Sequence, residues 1–127
     1  MRAGAHTDYG FLTILRSEAS AGGLQVQTRA GHWIDAPNID GAFVVNIADA
    51  FMRWTNDTWL STPHRVANAP AGARQGSRRQ SIPFFLNPRG DTMIECLKPF
   101  CGPDRPAKHK PISYADYIAL KTSQAFG

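Results

Sequence analysis

Short runs of β-branched and aromatic residues recur through the first two thirds of this chain, each ended within a few positions by glycine, proline or asparagine. Residues 11–15, 24–28, 33–36 and 42–47 form four such runs, and 61–68 and 79–87 form two more. The Gly22-Gly23, Ala30-Gly31-His32 and Pro37-to-Gly41 stretches between them are turn signals, and 70–77 has loop composition. Many short strands with such punctuation favour an all-β sandwich or barrel over alternating strands and helices. Residues 49–59 are less regular and accommodate a helical turn before Thr55-Asn56-Asp57.

Beyond Asp91 the pattern changes. Residues 98–111 are rich in Pro, Lys and Arg and read as an extended connection, and 113–121 read as a helix. Ser113 is placed to cap it, with Asp116 three residues on as a partner. Tyr114, Tyr117, Ile118 and Lys121 fall at helical spacing, so one face of this helix is expected to dock on the β-rich core. The expected organisation is a core over 1–95 and an extension over 96–127 carrying a helix near 113–124.

Three side chains have the chemistry of a metal centre. His6 and Asp8 are two apart, a spacing that puts both on one face of a strand, and His64 supplies a second imidazole. Two imidazoles and one carboxylate make the facial set used by non-haem Fe(II), which leaves the opposite face of an octahedron open. Taken alone, His-x-Asp is a weak signal, and a polar surface strand is the plainer reading of it. Arg79 and Ser81 share a face by the same period of two, and a guanidinium fork with a hydroxyl beside it suits a carboxylate. If the strand bearing His64 turns back through 70–77, the strand bearing Arg79 and Ser81 runs antiparallel beside it and completes one site. Arg78 competes with Arg79 for the anion, and the Arg-x-Ser pattern selects Arg79.

Several collinear blocks carry a family resemblance. His6-Thr7-Asp8-Tyr9-Gly10-Phe11-Leu12-Thr13-Ile14-Leu15 is followed in order by Gly22-Gly23-Leu24-Gln25-Val26, Trp33-Ile34 and Gly41-Ala42-Phe43-Val44-Val45-Asn46-Ile47-Ala48-Asp49. Trp54-Thr55-Asn56-Asp57, Ser61-Thr62-Pro63-His64-Arg65-Val66 and Arg79-Gln80-Ser81-Ile82-Pro83-Phe84-Phe85 then follow. Together they resemble the catalytic core of the 2-oxoglutarate and Fe(II)-dependent oxygenases, in the isopenicillin N synthase-like branch. The resemblance implies a double-stranded β-helix, or jelly roll, lacking its N-terminal part. It implies His6, Asp8 and His64 as iron ligands and Arg79 and Ser81 as the clamp on the distal carboxylate of 2-oxoglutarate. It further implies a dioxygenase that uses O₂ and decarboxylates 2-oxoglutarate to succinate while oxidising a small organic substrate, usually by hydroxylation. Asn46 and Asp49 resemble a family segment that turns at the barrel rim, so a structural role is expected for them.

The chain departs from the family in length, beginning only five residues before His6, and in the fifteen positions that separate His64 from Arg79. An incomplete barrel leaves strand edges uncovered, so self-association is expected. Two other readings remain: an iron oxidase of the same fold that uses no keto acid, with Arg79 and Ser81 gripping the substrate's own carboxylate, and a non-catalytic β-barrel interaction module.

Composition narrows the partners. With 127 residues, 43% hydrophobic and 19% charged, the chain suits one globular domain. The net charge of +4 is spread along the sequence, with only Arg74/Arg78/Arg79 and Lys108-His109-Lys110 as local clusters. No nucleic-acid fingerprint accompanies it, and a solvated surface accounts for it. No long apolar run suggests a membrane span and no signal peptide is seen, so a cytoplasmic protein with Cys96 and Cys101 as free thiols is expected. His32 and His109 are expected to be solvated, and Trp33, Trp54 and Trp59 to be packing groups.

Overall fold

A computed structural model describes residues 3–18, 23–68 and 80–126. In chain order the elements are β1 (Ala3–His6), β2 (Leu12–Ser17), β3 (Leu24–Gln27), β4 (Trp33–Asp35), β5 (Val44–Ile47), α1 (Asp49–Trp54), β6 (His64–Val66), β7 (Ser81–Leu86), β8 (Met93–Ile94), β9 (Ile112–Ser113) and α2 (Tyr114–Phe126). The strands form a four-stranded sheet in the order β1-β6-β3-β4, a three-stranded sheet in the order β5-β2-β7, and the pair β8-β9. The chain divides into two compact units, one of residues 1–7, 14–46 and 62–84, the other of 8–13, 47–61 and 85–127.

In the first unit, alternation along the strands sorts side chains by face. Val26 pairs with both His64 and Ile34, and Leu24 pairs with Val66, so these residues share one face of the sheet. The other face carries Arg65, Gln25 and Asp35 in register. There the Arg65 Nε–H donates to Gln25 Oε1 at 2.8 Å and the Gln25 amide donates to Asp35 Oδ1 at 2.9 Å. The Arg65 guanidinium also lies 4.2 Å from the centre of the Trp33 ring, so Trp33 packs against a cation as well as against the strand. Gly31, at φ 84°, makes the turn from β3 to β4, a left-handed position that a residue with a Cβ adopts at a cost.

The expected hairpin between the strand of His64 and the strand of Ser81 does not form. β6 lies between β1 and β3, whereas β7 is an edge strand beside β2 in the other sheet. The composition of a loop signals a reversal of the chain and carries no information about which sheet receives the returning strand. Next to the ends of β2 and β7, the Glu18 N–H instead donates to the Gln80 carbonyl at 3.0 Å, and the Gln80 N–H donates to the Glu18 side-chain Oε2 at 2.8 Å. All six residues of β7 are exposed, Ile82, Phe84 and Phe85 by 57%, 60% and 56%.

The second unit holds a core of Phe11, Ala50, Ile94, Tyr114 and Tyr117, flanked by Phe51, Trp54, Ile112 and Ile118. Phe11 stacks on Phe51 with centroids 5.2 Å apart and tilts against Trp54 at 4.6 Å. α1 occupies part of the segment where a helical turn was expected, and α2 begins one residue after Ser113. Ser113 Oγ accepts the Asp116 N–H at 3.1 Å and donates to Asp116 Oδ2 at 2.6 Å, a capping arrangement that starts the helix where the sequence placed it. Burial of Tyr114 and Tyr117 docks α2 by the face expected.

Residues 98–111 are more compact than an extended connection. They include a 3-10 turn at Lys98–Phe100 and a tight turn closed by Gly102 and Arg105, each donating its N–H to the other's carbonyl. Asn56 anchors this segment. Its side-chain amide donates to the carbonyls of Phe100 and Pro106, both at 3.1 Å, while its Oδ1 accepts the Lys108 N–H at 2.9 Å. Asn56 and Asp57 are left-handed at φ 52° and 59°, a conformation that Asn and Asp tolerate better than other residues with a Cβ. His109 is therefore not simply solvated: its Nε2 is 2.8 Å from Asp57 Oδ1, and Lys108 Nζ is 3.3 Å from Asp57 Oδ2. His32 is exposed, as expected. Cys96 and Cys101 are free thiols. Among the described residues no helix is long and apolar enough to cross a membrane.

Candidate metal centre

His6 and His64 meet because β1 pairs antiparallel with β6. His6 is the cross-strand partner of His64 and Ala3 that of Val66, so the interval of three on β1 opposes an interval of two on β6. That mismatch is a β-bulge. In a regular strand Ala3 and His6 would point to opposite faces, and the extra residue restores His6 to the face of His64. The ring centroids are 4.4 Å apart, with planes inclined by 57°.

Each ring is oriented by its own strand. His6 Nδ1 is 2.8 Å from the Gly4 carbonyl and His64 Nδ1 is 3.1 Å from the Thr62 carbonyl, in both cases two residues back. A carbonyl can only accept, so Nδ1 carries the proton in each ring and the lone pair of the neutral imidazole sits on Nε2. Metal-binding histidines are commonly fixed by this type of second bond.

Asp8 lies beyond the end of β1, so strand alternation is not what aims its carboxylate. Three local bonds hold it and the turn after it. The hydroxyl of Thr13, a buried residue, donates to Asp8 Oδ2 at 2.6 Å. The Asp49 N–H at the start of α1 donates to the Asp8 carbonyl at 2.8 Å, and the Ala50 N–H donates to the Gly10 carbonyl at 3.0 Å. A Cβ at Gly10 would run into the Asn87 carboxamide, which would have to move aside.

One donor atom from each of His6, Asp8 and His64 lies within 4.8 Å of the others, close enough for one ion to bridge them. The donor set of two nitrogens and one oxygen fits Fe(II), Mn(II) or Co(II) and lacks the thiolates of a structural zinc site. Ser81 opens β7 and is exposed, and Arg79 lies outside the described residues. Thr13, Asp49 and Gly10 were not singled out from the sequence as supports of this centre. Only the -Phe11-Leu12-Thr13- run after Asp8 hinted at one of them, by placing a hydroxyl among apolar neighbours.

Residues 1–88 match the family model of the 2OG-Fe(II) oxygenase superfamily. The 2-oxoglutarate-Fe(II) type oxidoreductase hxnY of Emericella nidulans is 38% identical over 125 residues, covering 98% of this chain and 34% of that protein. Among solved structures, full-length Neurospora crassa T7H in complex with alpha-KG and thymine superposes with a TM-score of 0.85 at 36% identity, over 98% of this chain and 37% of that one. The rice dioxygenase for auxin oxidation gives a TM-score of 0.83 at 31% identity, over 97% of this chain and 40% of that one. The chain spans about a third of the length of the curated relatives it matches. These neighbours have the double-stranded β-helix expected from the sequence, of which this chain holds a part. The match to the family model and the identity to these relatives together show that the chain belongs to the 2OG-Fe(II) oxygenase superfamily.

Proposed function

We propose that this chain carries the metal and co-substrate site of an Fe(II)- and 2-oxoglutarate-dependent dioxygenase, with His6, Asp8 and His64 as the iron ligands. The observation that carries the reading is the convergence of these three donors within 4.8 Å, with both rings oriented by carbonyls on Nδ1. When bound, Fe(II) supplies the redox chemistry that couples O₂ and the decarboxylation of 2-oxoglutarate to succinate with oxidation of a substrate C–H bond. The protein's own part is to hold three ligands on one face and leave room opposite for the co-substrate. Arg79 and Ser81 are assigned to the distal carboxylate of 2-oxoglutarate on the strength of the Arg-x-Ser pattern and the chemistry of a guanidinium beside a hydroxyl.

The substrate is read as a small organic molecule, in keeping with the thymine complex of the Neurospora relative. Nucleic acid and membrane are not among the expected partners. The free thiols of Cys96 and Cys101 favour a reducing, cytoplasmic compartment. The exposed apolar side chains of edge strand β7 favour self-association, which sedimentation at two concentrations tests.

An anaerobic titration with Fe(II) followed by 2-oxoglutarate tests the site, read by the visible charge-transfer band and repeated with His64→Ala and Arg79→Leu. The expected band requires both additions, is lost in His64→Ala, and needs much more keto acid in Arg79→Leu. A folded chain that binds Fe(II) but gives no keto-acid band points to the oxidase without keto acid. A folded chain that binds no metal would favour the interaction module.

A further inference from the structure

Lys121, about two turns into α2 and far from Asp8 in sequence, touches both Tyr9 and the α1 residue that holds the Asp8 turn. Its Nζ lies 2.7 Å from Asp49 Oδ2 and 4.9 Å from the centre of the Tyr9 ring. Asp49 is the residue whose N–H holds the Asp8 carbonyl, and Tyr9 is the next residue after Asp8. We infer that Lys121 is a positioning residue for the Asp8 carboxylate, acting through its ion pair with Asp49 and its contact with Tyr9. The inference rests on the assignment of Asp8 as a metal ligand.

The placement of the pair supports this role over simple helix docking. Tyr114 and Tyr117 already bury the face of α2 in the core, and Arg53 stacks over the Tyr117 ring at 5.6 Å, so α2 has its own means of attachment. Asp49 is 5% exposed, where a carboxylate is costly unless its charge is met. What a buried ion pair adds over apolar packing is a fixed geometry. Here the fixed residue is the first of α1, whose N–H and that of Ala50 bond the carbonyls of Asp8 and Gly10. With Thr13 holding one carboxylate oxygen, Asp8 is restrained at its side chain by β2 and at its main chain by α1, and Lys121 restrains the latter.

The test uses the chain with Co(II) as probe, measuring affinity, the d–d absorption spectrum, and hydrogen exchange of the Asp49 and Ala50 amides without metal. In Lys121→Met, Co(II) binding is expected to weaken about 10-fold, the size usual when a support behind a ligand is lost. The d–d bands should shift and both amides should exchange faster, and Lys121→Arg should restore all three. Lys108→Met, which removes the cation from the Asp57 pair, should leave all three unchanged. If Lys121→Met proves poorly folded, the double variant Asp49→Asn/Lys121→Met, which removes both charges of this pair, is measured instead with the same expectation. Unchanged affinity, bands and exchange in a folded Lys121→Met or double variant would overturn the inference while leaving the ligand assignment standing. An unmodified chain that takes up no Co(II), with normal exchange at both amides, would overturn the ligand assignment and the inference with it.

Discussion

Replacing Asn56 should cost this chain a large share of its stability. The residue is fully buried, and its carboxamide makes three hydrogen bonds to the main chain of Phe100, Pro106 and Lys108. A net value of about 1 kcal/mol for each bond places the loss in Asn56→Gly near 3 kcal/mol. Asn56→Ala should lose about 1 kcal/mol more, because alanine must then hold the left-handed φ of 52° that glycine holds without strain. Against the roughly 5–15 kcal/mol that keeps a typical domain folded, either change is severe. Urea unfolding followed by tryptophan fluorescence measures both. With a slope of about 2 kcal/mol per molar, the midpoint should fall by roughly 1.5 M for glycine and 2 M for alanine. A loss under about 1 kcal/mol in Asn56→Gly, at unchanged slope, would show that the clamp on residues 100–108 contributes little. An alanine variant as stable as the glycine variant would refute the backbone part of the reasoning.

Gly10→Ala should disturb the turn after Asp8 by forcing the Asn87 carboxamide aside, at about 1–3 kcal/mol and with weakened Co(II) binding; calorimetric titration and thermal unfolding measure the two effects. Burial opposes ionisation of Asp57, but hydrogen bonds from His109 and Lys108 outweigh it and hold the carboxyl below its ordinary value of 3.8. A depressed carboxyl stabilises the fold above its unfolded value and ceases to do so as pH falls through the folded one, so Asp57→Asn should destabilise the chain at pH 7 and flatten its loss of stability below pH 3.8. An unchanged acid limb of the stability curve would count against this pair. Burial pushes the Cys96 thiol up to about 11, so iodoacetamide at pH 8 should label it at least tenfold more slowly in the folded than in the urea-unfolded chain, as read by peptide mass.

What could be read from the sequence was local. Ser113 and Asp116 lie within one turn of each other, and they set the start of α2 as expected. The runs that became β2, β3, β5 and β7 carried their own β-branched and aromatic residues and flanking turn signals, so only their ends shifted. Strand partners were not legible: β6 and β7 follow one another in sequence and go to different sheets, because pairing is decided by packing across the whole fold. His6 and Asp8 were read as sharing one strand face; in the structure a bulge in β1 and a turn pinned by α1 set their positions instead. Asn56, Asp49 and Lys121 act on residues dozens of positions away, and a single sequence marks such pairs only as ordinary polar residues. Arg79 is legible only as half of a pattern with Ser81.

The pairing of His6 with His64 makes the centre sensitive to insertions in a way that depends on where they fall. Extra residues in the long segment between β6 and β7 change a path length and leave both histidines where they are. A single residue removed between Ser61 and His64 shifts a hydrogen-bonded ladder by one step. Slippage of β6 by one position would bring Arg65 opposite His6, replacing an imidazole with a guanidinium and turning His64 toward the opposite face. Selection on metal chemistry would therefore act as selection on the exact lengths of short connections, and lineages with this site should vary freely in loop length only where the chain passes from one sheet to the other.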